Sequence, residues 1–300
     1  MIYIMSDTHG QYERYQAMME KIDLKKEDTL YVLGDVIDRG LGSMEILLDI
    51  MERENVVMFL GNHEHMMLTY LQGKDRLSWF FGVNGGRITY HAFKSLDKET
   101  RNKILDYLYE KTLIKKDLYL NDKRFILSHT GGIIDGVDLY TKDYKKKLMD
   151  IQEIVWNMGP YDTFSIKNFE YQEKKTYFIS GHIITRRLQE EDSVFIEEYE
   201  NNCTWIDIDC GCAMGKDFGY LSCLCIDEDG EIKALATSKD GKVYTYGILA
   251  NGVVKEENGT PVRCEFYEEK IEFLTVSLKI ILPTVVSILS PCSSRTTILS

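Results

Sequence analysis

The sequence lacks the excess of basic residues that proteins binding nucleic acids carry. Its 300 residues include 36 Lys and Arg against 48 Asp and Glu, so the formal net charge is −12, and no nucleic-acid polymer is expected as a partner. Hydrophobic residues make up 44% of the chain and charged residues 28%. These proportions are ordinary for a globular protein. They exclude a mainly disordered chain, a collagen-like chain and a polytopic membrane protein.

Cysteine is present, but not in the pattern of a disulfide framework. Seven cysteines are an odd number in a long chain, which favours reduced thiols and a cytoplasmic location. The N-terminus has neither a basic start nor a long apolar run, so we expect no signal peptide. Cys210, Cys212, Cys223 and Cys225 could form a four-thiolate zinc site, but their strand-like flanks favour buried thiols.

The C-terminal stretch differs in composition from the rest of the chain. Residues 271–289 are rich in Ile, Leu, Val, Ser and Thr and include Glu272, Lys279 and Pro283. The length would allow a transmembrane helix, but two charges and a proline argue against one, so membrane contact here is not expected. We expect residues 1–270 to form a single domain and residues 271–300 to be a docked, disordered or artefactual tail.

Short apolar runs alternate with polar loops and helical periodicity in the first part of the chain. Runs at residues 2–5, 30–33 and 56–60 give a β-loop-α order that predicts a parallel sheet with right-handed crossovers. Further strands are expected at 125–128 and 177–180, and a mostly helical region over 66–115. Short strands with Gly and Asp turns over about 193–248 predict an antiparallel second sheet against the first.

Polar side chains with metal-binding chemistry follow the carboxyl ends of these strands, where ligands bind to open α/β sheets. Carboxylates, an amide and neutral imidazoles suit a divalent transition metal, and the absence of a thiolate argues against structural zinc. Six ligand-type residues at five strand ends are too many for one open catalytic ion and suit two ions that share a carboxylate. Each cluster alone could be a loop turn or a helix cap. The residues concerned are Asp7, His9, Asp35, Asp38, Arg39, Asn62, His63, His129 and His182.

Three motifs at these positions resemble the signature motifs of the metallophosphoesterases. They read DTHG at residues 7–10, GDVIDRG at 34–40 and GNHE at 61–64. SHTGG at 128–132 and GH at 181–182 are similar to the two later histidine motifs, in the right order. The DRG ending places the resemblance with the phosphoprotein phosphatase branch, as a bacterial-type member. It implies an α/β fold, the four-layer α/β/β/α calcineurin-like sandwich with mixed sheets.

The resemblance also implies a dinuclear metal centre. The cofactors would be two divalent ions, with Mn²⁺ expected first and Fe or Zn left open. Asp35 would bridge both ions, and a hydroxide between them would attack phosphorus directly, without a phosphoenzyme. The side chains implied as ligands are Asp7, His9, Asp35, Asn62, His129 and His182.

Three further residues are implied to act on the phosphate. His63 would protonate the leaving group, Asp38 would orient its ring, and Arg39 would bind the phosphate oxygens. The sequence departs from the family in one respect. A second phosphate-binding arginine, expected just after the tryptophan in residues 155–157, is missing. Arg186 or Arg187 is the candidate replacement, and a solvated surface position is the alternative for both.

These residues leave three functions open. The first, which is the function we expect, is hydrolysis of phosphoserine or phosphothreonine proteins, with phosphotyrosine as a variant. The second is hydrolysis of a phosphoanhydride, as in the symmetrical dinucleoside tetraphosphatases of the same branch. The third is a degenerate, non-enzymatic binding module, and it is disfavoured because no ligand position is lost. The substrate is therefore a phosphorylated protein or a small phosphate compound, and the oligomeric state is not predicted.

Overall fold

The computed structural model describes residues 1–74, 78–131, 151–152, 154–156, 166, 169–189, 193–214, 219–237, 243–248 and 254–255, with 244–248 and 254–255 described by their backbone alone. The described strands are β1 (Ile2–Met5), β2 (Thr29–Val32), β3 (Val56–Met58), β4 (Lys115–Leu120), β5 (Lys123–Ser128), β6 (Lys175–Ser180), β7 (Phe195–Tyr199), β8 (Cys203–Asp207), β9 (Ser222–Ile226), β10 (Ile232–Thr237), β11 (Val243–Ile248) and β12 (Val254–Lys255). The helices are α1 (Tyr12–Ile22), α2 (Ser43–Glu52), α3 (Asn62–Leu71), α4 (Ser78–Phe81), α5 (Gly86–Ser95), α6 (Lys98–Glu110) and a 3₁₀ helix over Thr185–Arg187.

The first sheet has the strand order β12-β11-β10-β9-β1-β2-β3. β1, β2 and β3 are parallel, with Ile2 opposite Thr29 and Leu30 opposite Val56, as the β-loop-α order predicts. β9 pairs antiparallel with the other edge of β1, and β10, β11 and β12 continue antiparallel from it. The sheet is therefore mixed.

The second sheet has the order β4-β5-β6-β8-β7, with β5, β6 and β8 parallel. This corrects one prediction, because the strands expected over 193–248 do not all belong to a second sheet. β7 and β8 do, whereas β9, β10 and β11 extend the first sheet. The physical reason lies in β9, which is buried at every position. A strand with apolar side chains on both faces is suited to the centre of a sheet covered on both sides.

The two sheets pack face to face around a shared apolar layer. Ile4 and Leu33 from the first sheet meet Phe125 and Ile179 from the second. A second cluster joins the other face of the first sheet to the helices, as at Leu47 of α2. The fold is thus an α/β sandwich of two mixed sheets with helices, as predicted. The packing brings the carboxyl ends of β1, β2, β3, β5 and β6 to one side.

Several predictions concern segments outside this core. The cysteines at 203, 210, 212, 223 and 225 are buried and free, which confirms buried thiols for this part of the chain. Residues 271–300 lie outside the described residues, and the division into a domain and a tail stays a prediction. Within the described ranges, no helix is long and apolar enough to cross a membrane.

Candidate metal centre

The loops that carry the candidate ligands have an unusual backbone. Nine non-glycine residues of the described chain have positive φ, and six of them belong to the predicted site. Such conformations cost about 1–3 kcal/mol each and persist only where the surrounding structure enforces them. Their concentration here indicates that side-chain placement takes precedence over local backbone preference. The six are Asp7, His9, Asp35, Asp38, Arg39 and His182.

A first cluster of ligand atoms forms between the loops after β1 and β2. His9 Nε2 lies 3.7 Å from Asp35 Oδ2 and 3.9 Å from Asp7 Oδ1. Asp7 Oδ2 accepts hydrogen bonds from Ser6 Oγ and from the backbone N–H of His182, the latter at 3.0 Å. Asp7 Oδ1 is buried and has no hydrogen-bond partner. It is therefore an orphaned acceptor that points into the cluster.

A second cluster lies on the other side of Asp35. His129 Nε2 is 3.4 Å from Asp35 Oδ1. Asn62 Oδ1 lies 3.0 Å from His129 Nε2 and 3.0 Å from His182 Nδ1. Reversing the Asn62 amide would let its nitrogen donate to both rings, whereas the orientation with oxygen inward is the one that metal ligation requires. The Asp35 carboxylate thus gives one oxygen to each cluster.

The histidine rings are oriented by backbone carbonyls. His9 Nδ1 lies 2.9 Å from the carbonyl oxygen of Ile37, and His129 Nδ1 lies 2.7 Å from that of Leu33. A carbonyl can only accept, so each Nδ1 carries the proton and each Nε2 presents a lone pair to the centre. This is the arrangement that imidazole ligands of a metal ion adopt.

Burial sets the charge state of the ligands. It lowers the pKa of His9 and His129 well below the ordinary value, so these rings are neutral at pH 7. Burial, and then the positive charges of Arg39 and Arg187, lowers the pKa of His182 to about 4. Burial and a neighbouring aspartate raise the pKa of both Asp7 and Asp35.

These features fit divalent metal ions. Buried carboxylates repel one another, and lone pairs converge without protons between them, so a cation would relieve both problems. Two groups of side chains have ligand atoms within 4.8 Å of one another, and Asp35 belongs to both. One group is His9, Asp35 and His63, and the other is Asp35, His129 and His182. Their chemistry does not identify the metal.

His63 and Arg39 lie together beside Asp35. His63 Nδ1 is 2.7 Å from Asp38 Oδ2 and donates to it. His63 Nε2 points to the centre, 3.3 Å from Arg39 Nη2 and 3.8 Å from Asp35 Oδ2. This is the placement required of an acid beside a phosphate-binding guanidinium. Because His63 also falls within ligand spacing of His9, its assignment as a non-ligand stays a prediction.

The two candidate replacements for the missing arginine lie shortly after His182 in the chain. Arg186 and Arg187 both lie on the 3₁₀ helix after His182, and both are exposed. The charge of Arg187 contributes to the lowered pKa of His182. A role for Arg186 in phosphate binding stays a prediction. Trp156 lies near this side of the centre, its ring centroid 6.3 Å from that of His182.

Sequence reasoning missed the functional importance of Glu64. Its carboxylate is fully buried and accepts hydrogen bonds from four backbone N–H groups. Those of Asp35 and Gly61 reach one oxygen at 2.9 and 3.0 Å, and those of Val36 and Ile37 reach the other at 2.8 and 3.2 Å. Glu64 therefore ties the loop carrying the shared carboxylate to the start of α3.

A second residue whose role was missed is Trp79. The structure buries it completely, with its indole Nε1 donating to Asp38 Oδ2 at 2.6 Å. No local sequence signal indicates this contact, because the two residues are 41 positions apart.

The fold and the site together define a metal-binding α/β sandwich of the phosphoesterase type. A family described as "Metallophos: Calcineurin-like phosphoesterase" matches residues 1–186. The chain therefore belongs to the calcineurin-like phosphoesterase family, which confirms the resemblance at the level of the superfamily. Membership of this family implies divalent metal ions, in agreement with the donor set described above.

Two curated relatives are both named as symmetrical bis(5'-nucleosyl)-tetraphosphatases. That of Cronobacter sakazakii is 26% identical over 131 residues, covering 43% of this chain and 42% of the relative. That of Baumannia cicadellinicola is 29% identical over 132 residues, covering 43% of this chain and 41% of the relative. The chain thus spans less than half the length of these two relatives. The predicted phosphoprotein phosphatase branch is not confirmed by them.

A solved structure with the same fold is a mutant of a cold-active protein tyrosine phosphatase. It is 18% identical to this chain, with a TM-score of 0.50, and the match covers 81% of this chain and 79% of that one. This similarity shows the fold alone.

Proposed function

We propose that this protein is a two-metal phosphohydrolase whose substrate is a symmetrical dinucleoside tetraphosphate. The observation that carries the reaction class is the position of Asp35, whose two carboxylate oxygens lie 3.7 Å from His9 Nε2 and 3.4 Å from His129 Nε2. One carboxylate between two groups of lone pairs is the requirement for a bridged pair of cations. When bound, the ions would supply a water-derived nucleophile at neutral pH and polarise the phosphoryl group.

Six side chains would bind the two ions. Asp35 is shared, and its backbone N–H is fixed by Glu64. The first ion would be bound on the side of the β1 loop and the second on the side of the second sheet. The ligands would be Asp7 and His9 for the first ion, Asp35 for both ions, and Asn62, His129 and His182 for the second.

His63 and Arg39 act on the substrate in this proposal. The Arg39 guanidinium donates to phosphoryl oxygens and neutralises charge that develops in the transition state. His63 acts with both ring nitrogens protonated. It gives the Nε2 proton to the leaving oxygen as the bond from phosphorus to that oxygen breaks, and it keeps the Nδ1 proton that it donates to Asp38. Asp38 accepts from His63 Nδ1, so the ring is oriented with Nε2 towards the centre.

The substrate choice is supported by the curated relatives rather than by the centre itself. Both relatives described above are named for symmetrical cleavage of dinucleoside tetraphosphates. Symmetrical cleavage would break the central anhydride bond and release two nucleoside diphosphates. The function expected from the sequence, a serine or threonine phosphoprotein phosphatase, stays a prediction. It would use the same two-metal chemistry on a different substrate.

The test compares substrates on chelator-treated protein with and without Mn²⁺. Diadenosine tetraphosphate, a phosphoserine peptide and p-nitrophenyl phosphate are offered to the wild type and to His63→Asn. We expect Mn²⁺-dependent hydrolysis with the dinucleotide preferred. His63→Asn should lose about 100-fold in rate on the phosphoserine peptide, whose alkoxide leaving group needs a proton, while binding the same amount of metal. Preference for the phosphopeptide would overturn the substrate assignment. Absence of turnover with all three would overturn the reaction class.

A further inference from the structure

One carboxylate oxygen of Asp38 accepts two hydrogen bonds. Its Oδ2 accepts from His63 Nδ1 at 2.7 Å and from Trp79 Nε1 at 2.6 Å. The second oxygen, Oδ1, is buried and has no hydrogen-bond partner. A carboxylate that accepted only from the histidine could rotate about its χ2 angle, because that torsion has a broad minimum. The indole therefore fixes the oxygen that orients His63.

The segment that contains Trp79, residues 78–89, also contacts the backbone of Asp38 and Arg39. Thr89 Oγ1, on α5, accepts from the backbone N–H of Asp38 at 2.9 Å. Gly85 lies against Arg39, since a Cβ there would be 2.7 Å from the Arg39 backbone nitrogen. Residues 78–89 thus contact both Asp38, which orients His63, and Arg39, the residue expected to bind phosphate. None of residues 78–89 is a proposed metal ligand.

The position of the indole is itself enforced by close packing. Trp79 is fully buried, and a Cβ on Gly86 would lie 2.4 Å from its ring. Tyr70 also packs against the indole, with ring centroids 5.3 Å apart. The ring therefore has little freedom to leave Asp38.

We propose that Trp79 is a positioning residue for proton transfer to the leaving group, acting through Asp38 and His63. The inference rests on the proposed function, because it assumes that His63 is the acid. Acid catalysis depends on the alignment of the donor with the leaving oxygen. The indole N–H donates to Asp38, which is not among the proposed metal ligands, so removing it should affect the step that needs a proton and spare the rest.

The experiment measures leaving-group dependence in Trp79→Phe. This change keeps most of the ring volume and removes the N–H donor. Mn²⁺-loaded protein is assayed with p-nitrophenyl phosphate, whose leaving group needs little protonation, and with an alkyl phosphate, whose leaving group needs it. We expect kcat for the alkyl phosphate to fall about tenfold or more, while kcat for the aryl phosphate changes less than about threefold. Metal content should stay the same.

Two further variants make the result decisive. Phe81→Ala lies in the same short helix, with an exposed side chain, and should leave both rates unchanged. Gly86→Ala displaces the indole without removing its N–H. This variant replaces Trp79→Phe in the assay if thermal melting shows that Trp79→Phe does not fold. It should show the same selective loss. Equal loss on both substrates, or no loss, would overturn the inference. Lack of wild-type activity on both substrates and on diadenosine tetraphosphate would instead overturn the proposed function.

Discussion

Replacing Glu64 by Gln should destabilise the protein and weaken metal binding at the same time. The change keeps the shape of the side chain but turns one carboxylate oxygen into an amide nitrogen. Each carboxylate oxygen of Glu64 accepts from two backbone N–H groups, at 2.8 to 3.2 Å. Two of the four N–H groups would then face a donor and lose their partner in a buried site.

The magnitude follows from the two lost bonds. A buried donor left without an acceptor costs about 1–3 kcal/mol, so two cost about 4 kcal/mol. For a chain of this size, that free energy corresponds to a fall in melting temperature of about 10 °C. The N–H groups of Asp35 and Gly61 flank the shared carboxylate and Asn62. Metal affinity should therefore fall about 10- to 100-fold, the range found when a residue that holds a metal ligand in place by hydrogen bonds is replaced.

The assay is thermal melting combined with Mn²⁺ titration, on Glu64→Gln and on Glu45→Gln as a control. Glu45 also lies in the first turn of a helix, but it is exposed. The control therefore loses the same favourable interaction with the helix dipole, worth about 0.3–1 kcal/mol, but no buried hydrogen bonds to backbone N–H groups. If both variants melt within a few degrees of each other and bind Mn²⁺ equally, the role given to Glu64 is refuted.

Two further predictions concern Arg39 and His182. Gly85→Ala should weaken inhibition by inorganic phosphate about tenfold. The new Cβ would press on the Arg39 backbone and so displace the guanidinium that binds the phosphate. Gly73→Ala is the control, with φ at +72° and no atom within 4 Å of its Cβ; equal inhibition in both would contradict the contact. In metal-free protein, His182 should add stability above pH 6.5 that is lost as the pH falls towards its folded pKa of about 4. The unfolded chain takes up that proton first. The difference in urea stability between wild type and His182→Asn should therefore shrink with falling pH, and a constant difference would refute this.

The ligand loops could be predicted from the sequence because their signals are local. Asp7 and His9 stand two residues apart directly after a short apolar strand, and Asn62 and His63 begin a helix after another. Strand-end placement then brings such groups together without knowledge of the tertiary contacts. The family motif predicts that Asp38 orients His63, and the structure has His63 Nδ1 2.7 Å from Asp38 Oδ2. The catalytic roles of the two residues stay predictions.

Other features depend on contacts that no local pattern encodes. Glu64 resembles any acidic residue in the first turn of a helix, and only the fold shows its bonds to residues 27 to 29 positions earlier. Trp79 resembles a core residue until its N–H is placed on Asp38. The assignment of β9 to the first sheet was also missed, because an apolar strand can fit the centre of either sheet.

If Asp35 serves two metal sites, its replacement should weaken both, and the number of ions bound per chain shows whether it does. Chelator-treated wild type and Asp35→Asn are titrated with Mn²⁺ by calorimetry, with bound metal counted after gel filtration. We expect two ions per chain in the wild type and a loss of more than about tenfold in affinity at both sites in the variant, because each cluster loses an anionic ligand. One ion bound with unchanged affinity in Asp35→Asn would show that the carboxylate serves a single site, and the bridged pair of ions would then be wrong.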